Sequence, residues 1–170
     1  MSVIDTLIFD RAESDITELH TLKDKGFVNM TTEEQTKWNA GMKGTYNISD
    51  INRVNAAVTY LQQLLQDCGY HVTISVGTDL TNSDLYNETY CLNYLANIQN
   101  LIDGYFTMTE TPSLPATTED ILTLTGANAI EKILHDIDYI IENMQAYYIH
   151  SGVATAGQDR VWQNRFRRVI

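Results

Sequence analysis

The sequence predicts a mainly α protein: a helical bundle of three long and two short helices, with a minor short-strand element and an extended C-terminal tail. Three observations lead there. Apolar residues recur at intervals of three and four over long stretches, most clearly at Ile51, Val54, Val58, Leu61 and Leu65, which lays one apolar stripe along a helix. Capping residues and glycines bracket these stretches. Alternating, β-branched sequence is confined to residues 70–76 (YHVTISV), too little for a sheet without a partner strand. With 170 residues and 44% apolar content, the chain has enough material for one buried core without metals or crosslinks. We read residues 1–150 as a helical bundle domain and 151–170 as a basic C-terminal tail.

Each element has its own signal. Residues 3–9 (VIDTLIF) are apolar, partly β-branched and expected to be extended. A helical period follows with Ile16, Leu19 and Leu22, stopped by Gly26. Thr31 and Glu34 have capping-box spacing at the head of a short helix around Trp38 that Gly41 ends. Gly41 and Gly44 make a corner. The stretch GTYNISDINRVNAAVTYLQQLL then opens polar and settles into the 3-4-3-4 rhythm, with Asn47 or Ser49 as cap and Asp50 at the positive end of the helix dipole. After the 70–76 strand, a helix capped around Thr81–Asp84 turns Leu85, Leu92, Leu95, Ile98 and Ile102 inward. Both prolines fall in the loop 105–118. A last long helix runs from about Thr118 to His150, with Ile130, Ile133, Leu134, Ile137, Ile140, Ile141 and Met144 on its apolar face and a break expected at Thr125-Gly126. The small residues of 151–157 interrupt the pattern before the tail. Asn52-x-Val54-Asn55-x-x-Val58 resembles Asn128-x-Ile130-Glu131-x-x-Leu134, and convergence of bundled helices on one pattern is the simpler account of it.

The formal net charge of −11 disfavours a polyanion over most of the surface. Residues 151–170 carry Arg160, Arg165, Arg167 and Arg168 against Asp159, a local +3, which leaves −14 on residues 1–150. A basic end on an acidic body suits docking on an acidic neighbour. Cys68 and Cys91 have no C-x-x-C spacing and read as reduced thiols of a cytoplasmic product. The N-terminal MSVIDTLIFDRAESD reads as no signal peptide, and no apolar run approaches the roughly 20 residues of a membrane span.

Chemistry has few handles. Nucleotide-binding and nucleophile-elbow motifs are absent from the sequence. Glu131, His135, Asp138 and Glu142 lie on one helical stripe, but no second helix repeats a Glu-x-x-His pair as a di-metal bundle site requires, so we read the stripe as a charged, solvated face. Tyr46, Asn47, Asp50, Asn52 and Arg53 offer no nucleophile beside a general base. They read as junction and register residues, with Asp50 and Arg53 paired at i, i+3. No catalytic, cofactor or metal residue is therefore expected. Ten tyrosines suit half-buried and interface positions, and Tyr147 and Tyr148, beside the small-residue hinge, are the preferred inter-subunit contacts, with Arg160, Arg165, Arg167 and Arg168.

Tyr46-Asn47-Ile48-Ser49-Asp50-Ile51-Asn52-Arg53-Val54 followed by Tyr60-Leu61 resembles small proteins encoded among the tail, baseplate or fibre genes of phages and prophages of Gram-positive bacteria. Further matches are Leu7-Ile8-Phe9-Asp10-Arg11, Thr73–Asp79 with Thr81-Asn82-Ser83-Asp84, Tyr94-Leu95-Ala96-Asn97-Ile98, and Ala127–Leu134. In its middle loop the family often carries Trp where this chain has Leu80. The resemblance covers the chain to about Gly152. It implies a non-enzymatic virion structural protein, made in the bacterial host cytoplasm, that forms homo-oligomers and binds other tail or baseplate proteins, with no membrane partner. Two alternatives stand beside it: a small helical metal-dependent enzyme using Glu131, His135 and Asp138, and a nucleic-acid-binding regulator using the arginine-rich tail. The acidic body argues against the second.

Overall fold

The computed structural model describes residues 2–81 and 87–155, with side chains as far as residue 146. Five helices appear in it: α1 (Glu13–Lys25), α2 (Thr32–Ala40), α3 (Ile48–Asp67), α4 (Glu88–Gly104) and α5 (Leu124–Thr155). The mainly α bundle of three long and two short helices is thus the observed fold. Local chemistry explains the boundaries. Gly26 and Gly41 end α1 and α2 with φ of 75° and 96°, a region in which side chains are strained. Thr31 and Glu34 form the expected capping box on α2, each side chain bonding the other's backbone N–H. Asn47 caps α3, accepting from the N–H of Ser49 at 2.8 Å, while the Asp50 carboxylate accepts from the N–H of Asn47 at 2.8 Å.

The core is the meeting of α3, α4 and α5. Ile51, Val54, Val58, Leu61 and Leu65 of α3 pack on Leu95, Ile98 and Leu101 of α4 and on Ile130, Ile133, Leu134, Ile137 and Ile141 of α5. A burial of this kind supplies about 1.5–3 kcal/mol per large side chain. A satellite cluster of Leu22, Met30 and Met42, with Leu19 and Trp38 against it, holds α1 and α2 together. Lys25–Glu34 and Lys37–Glu18 ion pairs rim it.

Four expectations are corrected. The first is the strand at 70–76: no strand occurs among the described residues. Asparagine and glutamine side chains, not a neighbouring strand, take up its backbone groups. Asn97 of α4 accepts from the N–H of Ser75 at 2.9 Å and donates to its carbonyl at 3.0 Å. Asn100 donates to the carbonyl of Thr73, and Gln62 of α3 to that of Val72. A segment satisfied in this way needs no strand partner. The N-terminal residues likewise begin with a 3₁₀ turn at Ile4–Thr6.

Second, α4 begins at Glu88, capped by Asn87, whose side chain accepts from the N–H of Tyr90. Residues 82–84 of the expected cap, and Leu85 of the expected inward face, lie outside the described residues. The inward face of α4 is Tyr94, Leu95, Ile98 and Leu101; Leu92 is 54% exposed, because the face is set one position away from it. Third, the last long helix breaks earlier than expected. A 3₁₀ turn at Asp120–Leu122 precedes it, and α5 then runs unbroken through Gly126 and on to Thr155, past the start of the small-residue stretch. Gly126 is there for close approach: a Cβ on it would overlap the carbonyl oxygen of Asp120. Gly126→Ala is expected to cost about 1–3 kcal/mol as the turn is pushed off the helix, read as a lower urea midpoint.

Fourth, the Glu131/His135/Asp138/Glu142 stripe is a solvated face only in part: Glu142 is exposed and His135 half-buried, but the other two members are not at the surface. Glu131 is fully buried and Asp138 is 6% exposed. Ala127, Glu131, Leu134, Asp138 and Ile141 follow one seam of α5, and two of its five members are carboxylates. The neighbouring Asp136 is buried as well and serves the loop 105–118: Thr111 donates to it at 2.9 Å and Lys132 pairs with it. Burial pushes its carboxyl up, but Lys132, Thr111 and His135 outweigh burial and hold it below the ordinary value of 3.8.

Candidate functional site

The densest polar cluster lies where the N-terminal segment, the start of α3 and the second turn of α5 meet. Glu131 is its centre. Its Oε1 accepts from Arg11 at 2.6 Å and Arg53 at 2.9 Å; its Oε2 accepts from Arg53 Nε at 3.1 Å and from the backbone N–H of Ile8 at 2.6 Å. Asp50 Oδ1 accepts from Arg11 at 3.1 Å and Arg53 at 2.5 Å. Arg11 also donates to the carbonyl of Ile8, and its guanidinium carbon sits 5.3 Å from the ring centre of Tyr46. The hydroxyls of Tyr46 and Tyr94 meet at 2.5 Å, and burial raises both phenols. Burial also opposes the charge on Arg53, but Glu131 and then Asp50 outweigh it and hold that charge firmly.

Two guanidiniums and two carboxylates balance. Residues 1–150 contain only two arginines, Arg11 and Arg53, and both are in this cluster. The four oxygens of Glu131 and Asp50 all accept hydrogen bonds within the protein, and three of them take arginine. Carboxylates so occupied are poor general bases, because protonating one would break a charge-assisted bond. The arrangement instead fastens three separate chain segments to one point.

A second group of residues does similar fastening without charge. Asn52 of α3 accepts from the N–H of Leu80 at 2.9 Å and donates to its carbonyl at 2.8 Å. Asn128 of α5 does the same to Arg11, at 3.0 and 2.9 Å, as Asn97 does to Ser75. Each long helix thus clamps one extended residue with both ends of one amide. Asn52 and Asn128 are each the fifth residue of their helix, followed by buried Val54 or Ile130 and then by a buried polar residue, Asn55 or Glu131. The similarity between these two helix starts therefore has a shared mechanical role.

The residues singled out in the sequence divide accordingly. Tyr46, Asn47, Asp50 and Arg53 converge on the ionic cluster, whereas Asn52 faces the 80 region. Of the metal stripe, Glu131 points into the cluster, while His135, Asp138 and Glu142 line a separate cleft against the N-terminal residues. No group of three His, Cys, Asp or Glu side chains able to hold a metal ion occurs among the described residues. No described helix is long and apolar enough to cross a membrane. The side chains of Tyr147 and Tyr148, and Arg160, Arg165, Arg167 and Arg168, lie outside what is described. The pairing of Arg11 with Glu131 is not visible in the local sequence pattern. Their signals are the scarcity of arginine in residues 1–150 and a glutamate between Ala127 and Leu134 on the buried seam of α5. No family model, curated protein or solved structure matches this chain.

Proposed function

We propose that the protein is a non-enzymatic structural component of a phage virion, in the tail, baseplate or tail fibre, and that it acts through oligomeric protein–protein contacts. One observation carries the reading: the polar residues of the stretch that most resembles such proteins, Tyr46 to Arg53, are spent on internal bonds that lock the bundle. Carboxylates and arginines bound to one another are not free to act on a substrate, which suits assembly better than turnover. The contacts would come from outside this locked centre, through Tyr147, Tyr148 and the arginines at 160, 165, 167 and 168, against acidic surfaces of a second copy or of other tail proteins.

Light scattering of the purified chain together with mass spectrometry of purified virions tests this. The expected results are a mass that is two or more times 19.3 kDa and the chain present at fixed stoichiometry in particles. A monomer that is absent from virions would end the proposal.

A further inference from the structure

A buried carboxyl lies between the N-terminal residues and the middle of α5. Asp138 is 6% exposed, and its Oδ1 has neither a hydrogen-bond partner nor contact with solvent. Charge on such an oxygen is costly, whereas the protonated form is far less so. The groups that face Asp138 do little to offset that cost. On α5 they are Glu142 and His135, on α3 the Tyr60 hydroxyl, and on the N-terminal residues Asp5. None of the described residues lining the cleft beside it is a lysine or arginine. Burial, Glu142 and Asp5 push the carboxyl up to about 6 against the pull of His135 and Tyr60.

The N-terminal residues are pinned from Ile8 onward. Glu131 accepts from the N–H of Ile8, and Asn128 bonds both the N–H and the carbonyl of Arg11. Ahead of that point, the arm of residues 2–7 closes its 3₁₀ turn on itself, the N–H of Leu7 donating to the carbonyl of Ile4 at 3.1 Å. Its seat is apolar: Ile4 and Leu7 are buried in the core, and both line the same cleft as Asp138. We propose that Asp138 makes the seating of this arm pH-dependent, the arm resting closed while the carboxyl is protonated and loosening once it is charged. Linkage fixes the direction. The seated state holds the proton more tightly, so seating is strongest below the ordinary carboxyl value of about 3.9 and weakens as pH rises through about 6. When opening hydrates the carboxyl, the whole difference is roughly 100-fold in the opening equilibrium. The bonds at Ile8 and Arg11 set the hinge. The inference is independent of the assembly role.

Hydrogen exchange of the Leu7 amide in the full chain, corrected for the intrinsic pH dependence of exchange and referenced to the core amide of Leu61, tests this. Its opening constant is expected to rise about sevenfold between about pH 5.2 and about pH 7.5, a range clear of the isoelectric point near 4.6. Asp138→Asn, which has the shape of the protonated acid and no charge, should keep the arm closed throughout and abolish the rise. His135→Gln should leave the rise in place, since His135 titrates in the same range without being its source. Carbon-detected NMR of the Asp138 carboxyl in the parent should give a midpoint near 6 that coincides with the change in exchange. A Leu7 opening that ignores pH, a rise that survives Asp138→Asn or vanishes in His135→Gln, or a carboxyl midpoint near the ordinary value would each overturn the proposal.

Discussion

Glu131→Gln is expected to lower the stability of the protein by about 3–5 kcal/mol at neutral pH, the cost of breaking a buried ion pair from one side. The substitution conserves shape, so it isolates charge and hydrogen bonding. One amide end still accepts, but the other presents N–H groups to donors, whichever way it is turned: to Arg53 Nε and the N–H of Ile8, or to Arg11 and Arg53. Two guanidiniums then share the single carboxylate of Asp50. Arg11 is held in a buried site and cannot swing to water without taking residues 8–11 with it. Urea unfolding should show a lower midpoint with an unchanged slope, while Glu33→Gln on the exposed side of α2 stays within about 0.5 kcal/mol. Combining Glu131→Gln with Arg53→Met should cost less than the two single changes together, since each removes part of the other's partner set. A loss below about 1 kcal/mol for Glu131→Gln alone would mean that water enters the cluster and that the segments are held elsewhere.

That cluster also marks the limit of what the sequence discloses. The helices were legible because their signals are local: the apolar period of α3, the Thr31/Glu34 box, and the glycines at 26 and 41. The roles of Asp50 and Arg53 at a junction could be proposed because they are three residues apart on one helix. Arg11 and Glu131 are separated by 120 positions, and only the fold brings them together. A stripe shared with three other polar residues reads as a solvated face for Glu131; its burial depends on a partner 120 residues away, which no period reveals. Residues 70–76 failed for a related reason. β-branched alternation shows that a segment is extended, but not what bonds its backbone. Here the bonds come from Asn97, Asn100 and Gln62, and a helical side chain that reaches out to a neighbouring backbone leaves no mark on local pattern. Leu92 was misplaced by one position on its face, which a hydrophobic count tolerates and a packed core does not.

The asparagine clamps carry the second large effect. Asn97→Asp is expected to destabilise by about 2–4 kcal/mol at pH 7, more than its near-identical shape suggests. The N–H of Ser75 keeps an acceptor, but its carbonyl loses the amide donor now 3.0 Å away and faces an oxygen instead. The introduced carboxyl is also buried, as Asn97 is now. Its folded-state pKa must therefore lie above the unfolded value of about 3.9. The sign follows: the folded state prefers the protonated form, so the deficit is smallest below about pH 4, where an O–H can donate to the Ser75 carbonyl, and grows as pH rises through the raised pKa. Asn97→Ala should show a comparable loss without that pH dependence, since it removes both bonds and adds no charge. Hydrogen exchange locates the effect. In both variants the amide of Ser75 and its neighbours in 72–80 should exchange faster, while the middle of α3, around Leu61, speeds up only in proportion to the loss of global stability. Were Asn97→Asp instead to leave the 72–80 amides as protected as before, the extended segment would be held by Asn52, Gln62 and Asn100 alone, and the three clamps would be redundant rather than joint supports.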